Sequence, residues 1–229
     1  MLADTWAAAM PSDIPVLLGG PAYGDKGGEF VPGRYLALGN VITSRGCPNR
    51  CSYCLAAERE GSLREIEIQE GWRVHDNNLL ATSDAHFAAV CAMLSRQPKR
   101  AILAGGLEAR RLTPARAELL RQARVDRLYF ANDRRGDLDH LKKARQILED
   151  VGFTRNHLYC YVLIGQAGDS VADAESRLQA TWDAGYMPYA MLYRGIDNAP
   201  RSTEWKQFQR IWLRPAIIRR IQNQKGISK

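Results

Sequence analysis

"RAILAGGLEARRLTPARAELLRQARVDRLYFA", residues 100–131, decides the fold. "RAILAGG" reads as an apolar strand that ends where Gly105 and Gly106 interrupt the β-forming run. Pro114 suits a first helical position, where its missing N–H costs nothing, and opens a helix to about Arg124. "RLYFA" is the next strand. Strand, helix and strand in so short a span imply parallel pairing through a right-handed crossover.

The same alternation extends in both directions. Upstream lie the β-branched run "NVITS" (40–44) and the minor strands "EIEI" (65–68) and "WRV" (72–74). Ser83 then caps a helix with Phe87, Val90, Cys91 and Leu94 on one face. Downstream, Asp137 caps a helix that buries Leu138, Leu141, Ala144 and Leu148 and stops at Gly152. "HLYCYVLIG" (157–165) is a strong strand. A helix from about Ser170 to Ala184 buries Val171, Ala174, Leu178 and Trp182, and "PYAMLY" (188–193) is the last strand.

The expected fold is α/β, a partial (β/α) barrel of about five to six mostly parallel strands, in one domain over residues 1–229. An N-terminal Gly/Pro-rich arm (1–40) precedes the barrel core (41–194), and a basic C-terminal helical extension (195–229) follows it. In the extension, Trp205, Phe208 and Trp212 recur at helical spacing as a packing face, while Arg210, Arg214, Arg219 and Arg220 add charge. Sites in such sheets sit at the C-terminal strand ends. Gly105–Gly106, Asn132–Asp133, Gly165 and a cysteine loop all fall there.

That loop, "SRGCPNRCSYC" (44–54), sets Cys47, Cys51 and Cys54 in C-x3-C-x2-C spacing. Of the five cysteines, Cys91 on a helix face and Cys160 in a strand read as buried core residues. Three thiolates suit an iron–sulfur cluster with one iron open to an outside ligand. The alternative is a closed zinc site with His75 or His86 as fourth ligand, in a zinc-stabilised nucleic-acid-binding module without catalysis. The net charge of +7 is compatible with a polyanionic partner, although the basic residues are spread rather than blocked. No run reaches 18 apolar residues, so no transmembrane helix is expected. The N-terminus "MLADTWAAAMPSDIP" lacks a basic n-region and is a poor signal peptide, so the expected location is cytoplasmic, with no membrane partner.

The cysteine spacing, with Tyr53 just before the last cysteine and Arg45–Gly46 before the first, strongly resembles the radical S-adenosylmethionine (radical SAM) superfamily. The likeness covers about residues 41–194. A closer resemblance is to an uncharacterised bacterial and phage radical SAM protein group, whose members share patterns like "PGRY", "TSRGCPNRC", "DNNLL", "GGLEARRLT", "YVLIG" and "YAMLY" in this order. It implies that Cys47, Cys51 and Cys54 are catalytic cysteines that ligate a [4Fe-4S] cluster, with S-adenosyl-L-methionine (SAM) on the open iron. It implies further cofactor contacts at Tyr53 (adenine), Gly105 and Gly106 (methionine), Asn132 or Asp133 (ribose), and Ile164 and Gly165, which are followed by Asp169. Glu108 stands one position beyond the family's usual Gly-Gly-Glu. The implied chemistry is reductive cleavage of SAM to a 5′-deoxyadenosyl radical that abstracts hydrogen from a substrate. A flavodoxin- or ferredoxin-like one-electron reductant would drive it. Asn77, Asn78, Arg110, Arg111, Tyr193 and Arg194 are the candidate substrate contacts, arginine being suited to bidentate recognition of carboxylate or phosphate. The substrate is left open, with nucleic acid or another anionic molecule among the candidates.

Overall fold

The computed structural model of the chain describes residues 2–14, 16, 29–34, 36–134, 136–194 and 202–227. Residues 17–28 of the N-terminal arm lie outside them. The long strands are β5 (Ala101–Leu107), β6 (Val125–Ala131), β7 (Leu158–Ile164) and β8 (Met187–Leu192). Two short ones, β1 (Asn40–Val41) and β4 (Arg73–Val74), extend the same sheet. Its order is β1-β4-β5-β6-β7-β8, every pair is parallel, and it does not close on itself. The expectation of a partial (β/α) barrel with about six parallel strands therefore holds.

The "NVITS" run does not form one strand. After Val41 the chain leaves the sheet, and β2 (Ser44–Arg45) pairs antiparallel with β3 (Arg64–Glu65) in a separate ribbon. Only Glu65 of "EIEI" is in a strand. The cause is non-local: a buried carboxylate, Asp76, takes Thr43 and Ser44 out of the sheet register.

The helices are α1 (Leu2–Ala9), α2 (Ala56–Glu60), α3 (Asp84–Ser95), α4 (Pro114–Gln122), α5 (Asp137–Asp150), α6 (Val171–Asp183), α7 (Thr203–Trp212) and α8 (Pro215–Ile227). Ser83, Thr113 and Ser170 each accept a hydrogen bond from a first-turn N–H, at 3.2, 3.3 and 3.1 Å. Each satisfies an amide that would otherwise have no partner. Asp137 does not cap α5 as its position suggests. Gly136 occupies the cap at φ 91°, and the Asp137 carboxylate reaches back to the amides of Asp133 and Arg134, at 3.0 and 2.8 Å. It shapes the turn after β6 instead.

Leu158, Cys160, Val162 and Ile164 of β7 are fully buried and alternate with half-buried residues, as the two-residue period of a strand requires. The buried side joins Leu128 and Phe130 of β6 and the inner faces of α3, α4 and α5 in the main core, which also holds Cys91. A second cluster joins Val162, Ile164, Met187 and Ala190 to Trp212 of α7 and Ile218 of α8, with Trp205 and Phe208 against it. The three aromatic residues of α7 thus form a packing face. No helix among the described residues is long and apolar enough to cross a membrane.

Candidate functional site

The cysteine loop lies over the C-terminal ends of β5 and β6, fastened by two carboxylates. Asp76 is buried beneath it and accepts from the Thr43 amide at 2.7 Å and from the Thr43 and Ser44 hydroxyls at 2.6 Å each. Burial pushes its carboxyl up, and these hydrogen bonds oppose the shift. Glu60 of α2 accepts from the Gly46 amide at 3.1 Å and from the Asn77 side chain at 2.6 Å. It therefore ties the chain before Cys47 to the helix after Cys54. Gly46 has φ +76°, and a Cβ there would fall 2.3 Å from the Ser62 carbonyl oxygen, so only glycine fits.

Cys47, Cys51 and Cys54 line two adjoining cavities. The outer one, about 510 Å³, is completed by Pro48, Arg50, Ala57, Glu58, Gly61 and Ser62. The inner one, about 150 Å³, runs under the loop past Tyr53, Asn77, Asn78, Gly106, Glu108, Arg110, Asp133, Arg134 and His140. The two glycines of β5 have different roles. A Cβ on Gly105 would come within 1.8 Å of the Asp76 carbonyl oxygen, so Gly105 seats the 76–78 loop, whereas Gly106 faces open space in the cleft.

Glu108 is the electrostatic centre of the inner cleft. Its carboxylate accepts from Asn78 at 2.8 Å and from the Nε atoms of Arg110 and Arg111, with Arg134 at 3.7 Å. Burial alone would raise its carboxyl, but the hydrogen bonds from Asn78, Asn49, Arg111 and Arg110 outweigh it and hold the group at about 2. The Nε–H groups of Arg110 and Arg111 are therefore engaged within the protein. Both are committed to Glu108, and Arg110 also donates to Asn49 at 3.0 Å. Asn78 spends its NH₂ on Glu108 and, weakly, on the Cys47 sulfur at 3.8 Å. Its Oδ1 is buried without a hydrogen-bond partner.

Tyr53 and Asp133 face each other across the cleft. Burial, then the Asp133 charge, pushes the Tyr53 phenol up. Asp133 accepts the Leu163 amide at 2.7 Å, yet burial raises its carboxyl to about 6. Asn132 points the other way: it donates to Thr181 of α6 at 2.8 Å and is buried outside the cleft lining, so of the pair only Asp133 lines the cleft. Ile164 is fully buried in the second core cluster, and Gly165 packs toward Leu192 and Trp205 while its amide donates to Asp169 at 2.8 Å. Neither lines the cysteine cleft. Tyr193 and Arg194 line a separate open groove of about 590 Å³ that borders Tyr53, Cys54 and Arg59.

Glu60, Arg134 and His140 were not singled out in the sequence. Glu108 had a signal besides its displaced glycine motif, namely two arginines two and three residues on. His75 bonds Asn40 at 2.7 Å and His86 Nδ1 lies 3.8 Å from Glu65, and neither histidine lines the cavities that the three cysteines share.

All five cysteines are free thiols. Burial raises the Cys47 thiol, so binding a metal there would have to displace its proton. Among the described residues, no group of three or more His, Cys, Asp or Glu side chains is placed to hold a metal ion as it stands. The donor set nevertheless suits a cluster with an exchangeable ligand. Three thiols share one cavity wall with a partnerless buried acceptor and the open side of Gly106. No protein-family model matches the chain, and no curated protein matches it.

Proposed function

We propose that the chain is a radical SAM enzyme in which Cys47, Cys51 and Cys54 hold a [4Fe-4S] cluster and SAM occupies the inner cleft. The observation that carries the reading is the placement of all three thiols on one cavity with Gly106 and Asn78, whose Oδ1 is buried without a partner. A cluster held by Cys47, Cys51 and Cys54 would, once reduced, supply the one electron that splits SAM into methionine and a 5′-deoxyadenosyl radical for hydrogen abstraction.

The chain's own residues bind, orient and shield. Glu60 and Asp76 hold the loop that bears the thiols. Asn78 donates its NH₂ to Glu108, and its buried, partnerless Oδ1 is an acceptor that a ligand N–H or O–H would satisfy. Gly106 leaves room for a ligand chain, and Tyr53 and Asp133 form the facing wall. Asp133 offers a carboxylate to a hydroxyl of the bound nucleoside. Tyr53 and the loop above it limit the access of water to the radical.

Anaerobic reconstitution of the full chain tests this. The expected product is brown, with about four iron and four sulfide per chain. With SAM and a flavodoxin- or ferredoxin-like reductant it forms 5′-deoxyadenosine. Cys51→Ala is expected to lose both cluster and cleavage. A colourless protein carrying one zinc and no SAM cleavage would establish the zinc-stabilised module instead.

A further inference from the structure

Parallel sheets are ordinarily covered on both faces. Here the buried residues of β6 and β7 alternate with a more exposed set on the opposite, inner face, which β8 joins at Tyr189, and that set includes four tyrosines. Tyr129 sits opposite Tyr159, and Tyr161 opposite Tyr189. Ring centroids are 4.9 Å apart for Tyr129–Tyr159 and 5.1 Å for Tyr129–Tyr161, both stacked, and 5.7 Å for Tyr161–Tyr189, edge to face. The row crosses three strands, about 10 Å.

Two arginines stand at the β6 end of the row. Arg73 and Arg127 both pair in register with Ile102, so they stand on either side of β5. Arg127 lies 5.8 Å from the centre of the Tyr159 ring and also pairs with Asp126 at 3.5 Å. Arg73 is exposed. The other end of this face runs into the candidate site. Ala131, the inner position after Tyr129, lines the cysteine cleft. Leu163 and Met191, the inner positions after Tyr161 and Tyr189, line the groove beside Cys54, together with Arg59 and Arg194.

We infer that this inner face binds single-stranded nucleic acid, with bases on the tyrosine row and phosphates at Arg73 and Arg127, and leads the strand to the cysteine cleft. Half-buried aromatic rings beside cations are the chemistry that holds unpaired bases without regard to sequence. A duplex hides its base faces in its own stack and gains nothing from such a row. The net charge of +7 complements a phosphate backbone. The face is also too long for one nucleotide, since Tyr159 to Leu163 alone spans about 13 Å. That the strand is the substrate rests on the radical SAM reading; that it binds does not.

Fluorescence anisotropy with a labelled oligonucleotide of about 12 nucleotides, run on the reconstituted full chain and on full-length Cys51→Ala, tests the binding. Both proteins are expected to bind the single strand, more tightly than duplex or heparin, with affinity falling as salt rises. Tyr159→Leu and Tyr189→Leu should each weaken binding about tenfold, and Tyr159→Phe should retain it. Arg127→Gln should reduce the slope of log affinity against log salt by about 0.7. Circular dichroism melts establish that each variant is folded. Heparin competing as well as the oligonucleotide, no saturable binding, or equal affinities for the Leu and Phe variants would overturn the inference. Strand binding without SAM cleavage would sink the proposed function and leave this binding face standing; SAM cleavage without strand binding would do the reverse.

Discussion

Asp133 lies between Tyr53 and the Leu163 amide, and burial raises its carboxyl to about 6. In the unfolded chain its value is about 3.9. Below about pH 4 both states carry the proton, and Asp133 contributes no pH dependence. Between about pH 4 and 6 the unfolded chain releases its proton first, so the folded state loses stability as pH rises, with the full cost reached near pH 7. A shift of about 2 units is about 3 kcal/mol, and partial exposure at the cleft brings it nearer 2. Asp133→Asn keeps an oxygen for the Leu163 amide and removes the charge. It is therefore expected to stabilise the chain by about 2 kcal/mol at pH 7.5 and by clearly less at pH 5, as read from urea melts at the two pH values. Equal gains at both would mean that the carboxyl is not raised. The sequence could not choose between Asn132 and Asp133, because consecutive residues leaving a strand project to opposite sides and only one of the pair can face the cleft.

At the scale of elements, the four long strands and the helices between them were legible because their signals are local: apolar periodicity, Ser and Thr caps, Pro at a first turn, paired glycines at a strand end. The short strands were legible in part: "WRV" holds β4 and "NVITS" holds β1, but the break after Val41 and the separate β2–β3 ribbon were not. Both follow from Asp76, which lies 32 and 33 residues from Ser44 and Thr43 and has no local pattern to announce it. The same loop explains the two glycines of β5, which the sequence presents as an equivalent pair. Gly105→Ala would press a methyl group into the Asp76 carbonyl, a backbone atom that cannot swing aside. The expected loss is about 3 kcal/mol or more, together with loosening of the 76–78 loop. Gly106→Ala meets no atom within 4 Å and is expected to cost under about 1 kcal/mol. Thermal unfolding of the two single variants separates them, and similar losses would refute the seating role given to Gly105.

For the whole molecule, the two buried clusters imply unequal stability along the chain. The larger spans the sheet from β1 to β7 with α3, α4 and α5; the smaller joins β7 and β8 to α6, α7 and α8. Nothing local in the sequence marks this division, because it falls within β7, where Cys160 belongs to one cluster and Val162 to the other. The smaller cluster is therefore expected to open by itself, with α7 and α8 exchanging amide hydrogens at a lower free energy than β5 and β6. Two variants distinguish this from opening as one unit. Trp212→Ala destabilises the native state from which every opening starts, so protection should fall in both regions by about 3 kcal/mol. Leu148→Ala removes contacts that survive when α7 and α8 detach, so it should lower protection of β5 and β6 by about 3 kcal/mol and leave α7 and α8 unchanged. If Leu148→Ala speeds exchange equally in both regions, the clusters unfold together. If the asymmetry holds, the groove that carries Tyr193 and Arg194, walled by β8 and Gln209 of α7, belongs to the part of the molecule that moves most readily beside the cysteine loop.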